Sequence, residues 1–92
     1  MRPIYLSDLD AAVRVLLAVP QDVRAAEAAN IVKAADTADR NRKRFAKAHP
    51  VWGTGTLVSA VADRPHAKAS YCNAAYRACL QDILAALAHQ SA

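Results

Sequence analysis

Five basic side chains lie within eight positions of the 92-residue sequence, and no acidic residue lies among them. This basic cluster consists of Arg40, Arg42, Lys43, Arg44 and Lys47. Cations at this density can follow a run of phosphates and release the counterions that surround a nucleic acid. Cations in the last turns of a helix also favour its dipole without any ligand. The cluster therefore predicts either a contact with nucleic acid or an acidic protein, or the solvated face of a helix.

Helical spacing places four members of the basic cluster on one side of a helix and directs Arg42 elsewhere. No aromatic residue interleaves these cations in the way that a base-stacking surface requires. We therefore expect the cluster to bind double-stranded DNA, if at all, through its backbone and without strong sequence preference.

Two aspartates precede the cluster at a spacing that favours a helix. Asp36 lies four positions before Arg40, and Asp39 lies four positions before Lys43. Each such pair stabilises a helix by about 0.2–0.5 kcal/mol. The two carboxylates partly neutralise the start of the cluster, whereas its other three members have no acid at that spacing on their N-terminal side.

A His-Pro-Val-Trp-Gly segment follows the cluster directly, from His49 to Gly53. It can be a rigid hinge in which His49 and Trp52 contact a partner protein. It can equally be an ordinary helix end, with Trp52 filling the core of its own domain, because a large aromatic supplies much of the area that a small core buries. Both interpretations stay open, and we take His49 and Trp52 as candidate partner-binding residues.

Catalytic and ligand-binding patterns are missing from the sequence. His49, His66 and His89 are scattered, and no histidine pair or cysteine pair has the spacing of metal ligands. The stretch 53–56 lacks the length and the lysine of a phosphate-binding loop. No nucleophile is paired with a base and an orienting group. We therefore expect no enzyme, no metal and no cofactor.

The cysteines and the N-terminal stretch bear on the cellular compartment. Cys72 and Cys79 are seven positions apart, too far for a disulfide within one helix, and are expected to be reduced and buried. The N-terminal apolar stretch is interrupted by Asp8, Asp10 and Arg14, unlike a secretory signal. No apolar run is long enough to cross a membrane. We expect a cytoplasmic protein without a membrane contact.

The composition favours helices throughout a single domain spanning residues 1–92. Alanine dominates the 54% apolar fraction, and both glycines lie at one place, Gly53 and Gly55. Alanine is the strongest helix former but buries little area. Such helices need close neighbours, so we expect a homo-oligomer.

Residues 1–39 have a net charge of −2 and residues 40–92 a net charge of +6, which suggests an anionic partner or an opposite-charge contact between subunits.

Four helices are predicted, and together they form a small all-α bundle. A capping box at Ser7 and Asp10 begins the first helix, and Pro20 begins the next. This long central helix, residues 20–48, forms a helical hairpin and has the apolar positions Ile31, Val32, Ala35, Ala38 and Phe45. Thr56 or Thr54 caps a short third helix. Ser70 caps the last helix, whose apolar stripe is Cys72, Tyr76, Cys79, Leu80, Ile83 and Leu87.

Two stretches of the chain resemble a known family. They read MRPIYLSDLDAAVRVLLAVP and AADTADRNRKRFAKAHPVWGTGTLVSA. The pattern consists of Ala38-Asp39-Arg40 with Lys43-Arg44, then Ala48-His49-Pro50, Trp52-Gly53 and Gly55-Thr56-Leu57. It resembles short alphaproteobacterial proteins associated with gene transfer agents, the domesticated phage particles that package host DNA. The match covers about two-thirds of the chain, from Met1 to near Ala60, and weakens after Pro65, although Tyr71-Cys72 is similar to the family.

This resemblance implies the role of a small terminase subunit. Such subunits are oligomers built around a helical hairpin, have no catalytic residues, bind DNA and deliver it to a large ATPase-nuclease subunit. Many small terminase subunits begin with a helix-turn-helix domain. This chain has only one predicted helix before the long helix, so such a domain does not fit there. The alternative is a protein-binding adaptor or regulator of a phage-like particle without DNA binding. In that case Trp52 and the loop that contains Gly53 and Gly55, the glycine loop, contact the partner protein.

Overall fold

Helices make up the regular structure of the computed structural model, which describes residues 3–68 and 73–90, apart from the side chain of Gln90. The helices are α1 (Leu6–Leu17), α2 (Arg24–Phe45), α3 (Leu57–Ala60) and α4 (Ala74–Gln90), with a 3-10 turn at Gln21–Val23. No strand occurs in these two ranges, so the predicted all-α bundle with one long helix is confirmed.

Helix α1 begins before the predicted capping box. Tyr5 is its N-cap residue, so the expected cap at Ser7 is wrong. Asp8 explains the difference, because its Oδ2 accepts a hydrogen bond from the Tyr5 N–H at 3.0 Å. Its Oδ1 accepts from the Val58 N–H at 3.1 Å, in the first turn of α3. One buried carboxylate thus joins the N-terminal ends of two helices that are far apart in sequence.

The long helical segment is shorter than the predicted range of 20–48. Its first turn is the 3-10 turn, and it ends at Phe45 because Ala46 takes the left-handed conformation at φ 57°. The Ala46 N–H donates to the carbonyl of Arg42 at 2.8 Å, which closes the last turn. The three residues before His49 therefore belong to the loop, and Lys47 lies outside the helix.

A guanidinium from α2 closes the C-terminal end of α1. Arg24 Nε lies 3.0 Å from the carbonyl oxygen of Leu16 and 3.1 Å from that of Val19. Its Nη2 donates to the carbonyl of Leu17 at 3.3 Å. The Leu16 carbonyl also accepts from the Val19 N–H, so Arg24 adds a second donor there and satisfies the carbonyls of Leu17 and Val19 at the helix end.

Helix α2 packs most extensively against α4. Residues 21–25 lie beside residues 74–82, and residues 29–40 lie beside residues 86–89, so the two helices run in the same direction. After α2 the chain folds back along this helix, so that Trp52 lies beside Ala34 and Gly55 lies against Asp39.

A small apolar core lies between these helices. Larger residues such as Leu16 and Ile83 contribute roughly 1.5–3 kcal/mol each by burial, and alanines contribute less. The expected burial of Cys79 is confirmed, whereas Cys72 and the predicted cap Ser70 lie outside the described residues, as does Tyr71. The core cluster contains Ala12, Val13, Val15, Leu16, Ala28, Ile31, Val32, Ala35, Leu57, Val61, Tyr76, Cys79 and Ile83.

Candidate nucleic-acid interface

The basic cluster occupies the last turns of α2 and the start of the following loop. The Arg40 side chain is 77% exposed and that of Lys43 is 65% exposed. Arg44 and Lys47 are also exposed, and Arg42 is partly buried. These cations therefore lie at the surface, near the negative end of the helix dipole.

Three of the five cations form ion pairs with the two aspartates of their own helix. Arg40 Nη2 lies 2.9 Å from Asp36 Oδ2, and Lys43 Nζ lies 3.0 Å from Asp39 Oδ2. Both pairs were expected from their spacing. Arg42 also pairs, with its Nη2 3.1 Å from Asp39 Oδ1. Arg42 has no acid four positions before it, but a spacing of three positions also brings two side chains together on a helix.

Asp39 is the fixed centre of this arrangement. Its side chain is only 1% exposed. Burial raises the pKa of the Asp39 carboxyl, but hydrogen bonds from Lys43 and Arg42 outweigh that effect and lower the pKa to about 2. The carboxylate is thus charged at neutral pH and holds two cations at the end of α2.

The glycine loop covers Asp39. A Cβ at Gly55 would lie 2.5 Å from the Asp39 Cβ and 2.7 Å from its Cα, so only a glycine fits. Gly55 also has a positive φ of 99°. Gly53 at φ 77° confirms the expected left-handed turn, and Thr56 confirms the predicted cap of α3 by accepting from the Ser59 N–H at 3.1 Å. The loop therefore positions the basic cluster by burying its central carboxylate.

Positive charge remains in excess at this end of α2, since five cations face two carboxylates. Arg44 and Lys47 form no ion pair with any residue in ranges 3–68 and 73–90. The Arg44 guanidinium carbon lies 5.3 Å from the centre of the Phe45 ring, in a cation–π contact. Within these ranges, the charge without a carboxylate partner is therefore concentrated at Arg44 and Lys47, two of the three members that have no acid four positions before them.

The His-Pro segment forms a closed turn. The His49 N–H donates to the Gly53 carbonyl at 2.7 Å, and the Gly53 N–H donates back at 3.1 Å. His49 Nδ1 accepts from the N–H groups of Val51 and Trp52 at 3.0 and 3.1 Å. The His49 and Trp52 rings stack with centroids 4.7 Å apart. The turn is therefore held by its own backbone and by one imidazole.

Trp52 is not part of the core, which corrects the interpretation that it fills its own domain. It is partly buried and borders a shallow groove on α2. The other lining residues are Asn30, Lys33, Ala34 and Thr37. A tryptophan at the edge of a groove retains a surface that another molecule can contact.

Clusters of metal-ligating side chains and the thiol of Cys79 were the other candidates for a site. No group of three or more His, Cys, Asp or Glu side chains able to hold a metal occurs in the described part of the chain. The Cys79 thiol is buried, and burial raises its pKa, which disfavours the reactive thiolate. Cys79 is therefore a core residue.

None of the helices in the described ranges is both long and apolar enough to cross a bilayer.

Comparison with known proteins gives a family but no relative of known activity. Neither a curated protein nor a solved structure matches the chain. A family model described as a domain of unknown function, DUF7742, matches residues 2–87. The match covers almost the whole chain, including the basic cluster and the glycine loop, and the protein therefore belongs to the DUF7742 family.

Proposed function

We propose that the protein is a non-catalytic DNA-packaging protein of the small-terminase type, from a phage-like gene transfer agent. It contacts double-stranded DNA without sequence preference and brings it to a large terminase subunit. The observation that carries the DNA contact is the excess of exposed cations over carboxylates at the end of α2. The resemblance of the segment 34–60 to gene transfer agent proteins supports the packaging role.

Arg44 and Lys47 are the principal phosphate contacts in this proposal, because their charges are not taken up by carboxylates within ranges 3–68 and 73–90. Arg40 and Lys43 add to the attraction despite their ion pairs. Their side chains are 77% and 65% exposed, so each can face a phosphate while it keeps its ion pair. Arg42 is held closer to the protein surface and contributes mainly to the local field.

Oligomerisation supplies the affinity that one such patch lacks. Several weak patches on one assembly bind a long DNA far more tightly than any of them alone. Tyr5 and Leu6 support self-association, because their side chains are 67% and 75% exposed and stand beside the half-exposed Ile4. Three consecutive exposed apolar residues are typical of a surface that another subunit covers.

DNA binding across a salt series tests the proposal. A fluorescein-labelled 20-base-pair duplex is titrated with the protein at several salt concentrations, and anisotropy gives the affinity. The logarithm of the affinity should fall linearly with the logarithm of salt concentration. In an Arg44→Ala/Lys47→Ala variant the affinity should fall and the slope should decrease by roughly 2, about one for each lost phosphate contact.

A matched control removes the same charge elsewhere. Lys33→Ala/Lys68→Ala deletes two exposed cations outside the cluster and should leave the slope within about 0.5 of the wild-type value. If both double variants weaken binding equally, the contact is a general charge effect rather than a site. Binding that ignores salt would exclude the phosphate contact.

A protein-binding adaptor is the second candidate function, favoured by the position of Trp52. Its indole borders the groove lined by Asn30, Lys33, Ala34 and Thr37, where a partner side chain can be inserted. His49 supports this surface by stacking on the indole at 4.7 Å. The partner is then a large terminase subunit or another protein of the phage-like particle.

Trp52 itself reports on this alternative, since the chain has one tryptophan. Titration with a purified large terminase subunit lacking tryptophan should shift the emission of Trp52. Calorimetric titration, which does not need the indole, compares the variants: Trp52→Ala should abolish the interaction, and Arg44→Ala/Lys47→Ala should retain it. The reverse order of effects would assign the interaction to the basic cluster instead.

A further inference from the structure

Phe45 is an exposed aromatic residue between Arg44 and Lys47, so the expectation that no aromatic residue interleaves the cations of the basic cluster was wrong. It is the last residue of α2 and is 54% exposed, although the sequence placed it among the apolar positions of the helix. A single exposed apolar residue needs no explanation by itself. What distinguishes Phe45 is its surroundings, because cations flank it at Lys43, Arg44 and Lys47.

Arg44 makes a direct contact with the Phe45 ring. The guanidinium carbon lies over one face of the ring, 5.3 Å from its centre, and because Phe45 is 54% exposed, part of the ring stays accessible at the tip of the helix. Unpaired bases stack on both aromatic rings and guanidinium planes. Exposed cations next to such a surface hold the phosphates on either side of the stacked base.

We propose that Phe45 and Arg44 form a stacking surface for an unpaired base, so that this end of α2 binds single-stranded DNA in preference to duplex. The inference rests on the proposed function and makes it more specific: strand ends and frayed segments become the favoured ligand. Bases in an intact duplex are stacked on one another and cannot reach Phe45, whereas every base of a single strand has a free face.

Trp52 is a poorer candidate for this role. Its indole is partly buried, and His49 already stacks on it at 4.7 Å. The Phe45 ring is more exposed and lies beside the two cations that have no carboxylate partner in ranges 3–68 and 73–90. An anchor for a protein partner would also be expected in a patch with few charges, since interface cores are depleted of them.

The first test compares two substitutions of Phe45 on two probes. The probes are a labelled 20-nucleotide oligothymidine and a labelled 20-base-pair duplex, each titrated by anisotropy at one salt concentration. Wild-type protein should bind oligothymidine more tightly than duplex. Phe45→Ala and Phe45→Leu should each weaken oligothymidine binding about tenfold and change duplex binding less than twofold.

Phe45→Leu is the decisive variant, because it keeps an apolar side chain and removes the ring. Val51→Ala is the matched control, since Val51 is exposed and lies outside both the helix and the basic cluster, and it should not change either affinity. Circular dichroism confirms that each variant is folded. If Phe45→Leu binds oligothymidine as well as wild type, or if wild type does not prefer the single strand, the stacking proposal is overturned.

A fluorescence measurement separates bases from phosphates. In a Trp52→Phe/Phe45→Trp variant the single indole reports on position 45. Oligothymidine should quench its emission, and polyphosphate, a polyanion without bases, should not. Equal quenching by both overturns the stacking surface but leaves the phosphate contact intact. If neither the duplex nor the single strand binds wild type with a salt dependence, the proposed function fails as well.

Discussion

Gly55 lies against the backbone of Asp39, with a distance of only 2.7 Å between the position that a Gly55 Cβ would take and the Asp39 Cα. Gly55 therefore supports the basic cluster, because it packs on Asp39, the residue whose carboxylate pairs with Arg42 and Lys43. The arrangement of charge at the end of α2 therefore depends on a residue that lies ten positions beyond the helix.

Gly55→Ala should destabilise the protein by about 2–4 kcal/mol. The substitution combines a left-handed backbone, which costs an alanine about 1–2 kcal/mol, with an overlap against helix backbone that cannot move aside. Chemical denaturation followed by circular dichroism measures the change.

Gly53→Ala is the matched control, because its φ is also positive and its nearest contacts are the Ser59 side chain. It should cost less than Gly55→Ala, since its closest contact is one Cβ at 2.7 Å, whereas a Gly55 Cβ would overlap both the Cβ and the Cα of Asp39. Equal losses for the two variants would mean that the loop does not pack on α2 as described.

The stability of the protein should depend on the ionisation of Asp39 in acid. Hydrogen bonds from Lys43 and Arg42 lower the pKa to about 2 from an ordinary value of 3.8, despite the opposing effect of burial. The unfolded chain therefore binds the proton first. The stabilisation from Asp39 is fully present above about pH 4 and is lost as the pH falls through about 2.

Urea denaturation at several pH values between 5 and 2 measures this dependence, with Asp39→Asn as the comparison. The variant should be less stable at pH 5 by about 1–3 kcal/mol, because it leaves the two cations without their carboxylate. Its free energy of unfolding should also fall less steeply with acid. Parallel curves for variant and wild type would show that Asp39 does not titrate between pH 4 and 2.

The sequence predicted the elements well but not the contacts between them. The helices, the Thr56 cap and the pairs of Asp36 with Arg40 and Asp39 with Lys43 depend on neighbours within one turn. Local spacing therefore identifies them.

The contacts that bury parts of the candidate site could not be predicted from local spacing. Nothing in the sequence indicated that Gly55 packs on Asp39 or that Arg24 closes α1, since both depend on the path of a loop or the angle between helices. The exposure of Phe45 and the position of Trp52 outside the core have a related reason. A large aromatic favours the core, but α2 ends at Phe45 and the next segment turns away.

Asp8 should be a structural residue whose loss separates α1 from α3. Its two carboxylate oxygens accept from the N–H groups of Tyr5 and Val58. Asp8→Ala leaves both donors unpaired in a partly buried position, at an expected cost of about 1–3 kcal/mol. Asp63→Ala, which removes an exposed carboxylate near the end of α3, is the control and should change stability by less than about 0.5 kcal/mol. Thermal denaturation compares the two, and a loss no larger than that of Asp63→Ala would contradict the bridging role.

Ala46→Gly should stabilise the protein and leave its binding surface in place. Ala46 ends α2 in a left-handed conformation at φ 57°, where a side chain is strained and glycine is the usual residue. Removing the Cβ relieves about 1–2 kcal/mol of strain, from which the greater freedom of glycine in the unfolded chain takes back some tenths, so a net gain of about 1 kcal/mol is expected. Denaturation midpoints measure this gain.

Because no cation of the basic cluster is altered, DNA affinity and its salt slope should stay at wild-type values. A destabilised Ala46→Gly variant would mean that α2 continues past Phe45 in solution, which would place Lys47 on the same helical face as Arg44 and change the geometry of the proposed phosphate contact.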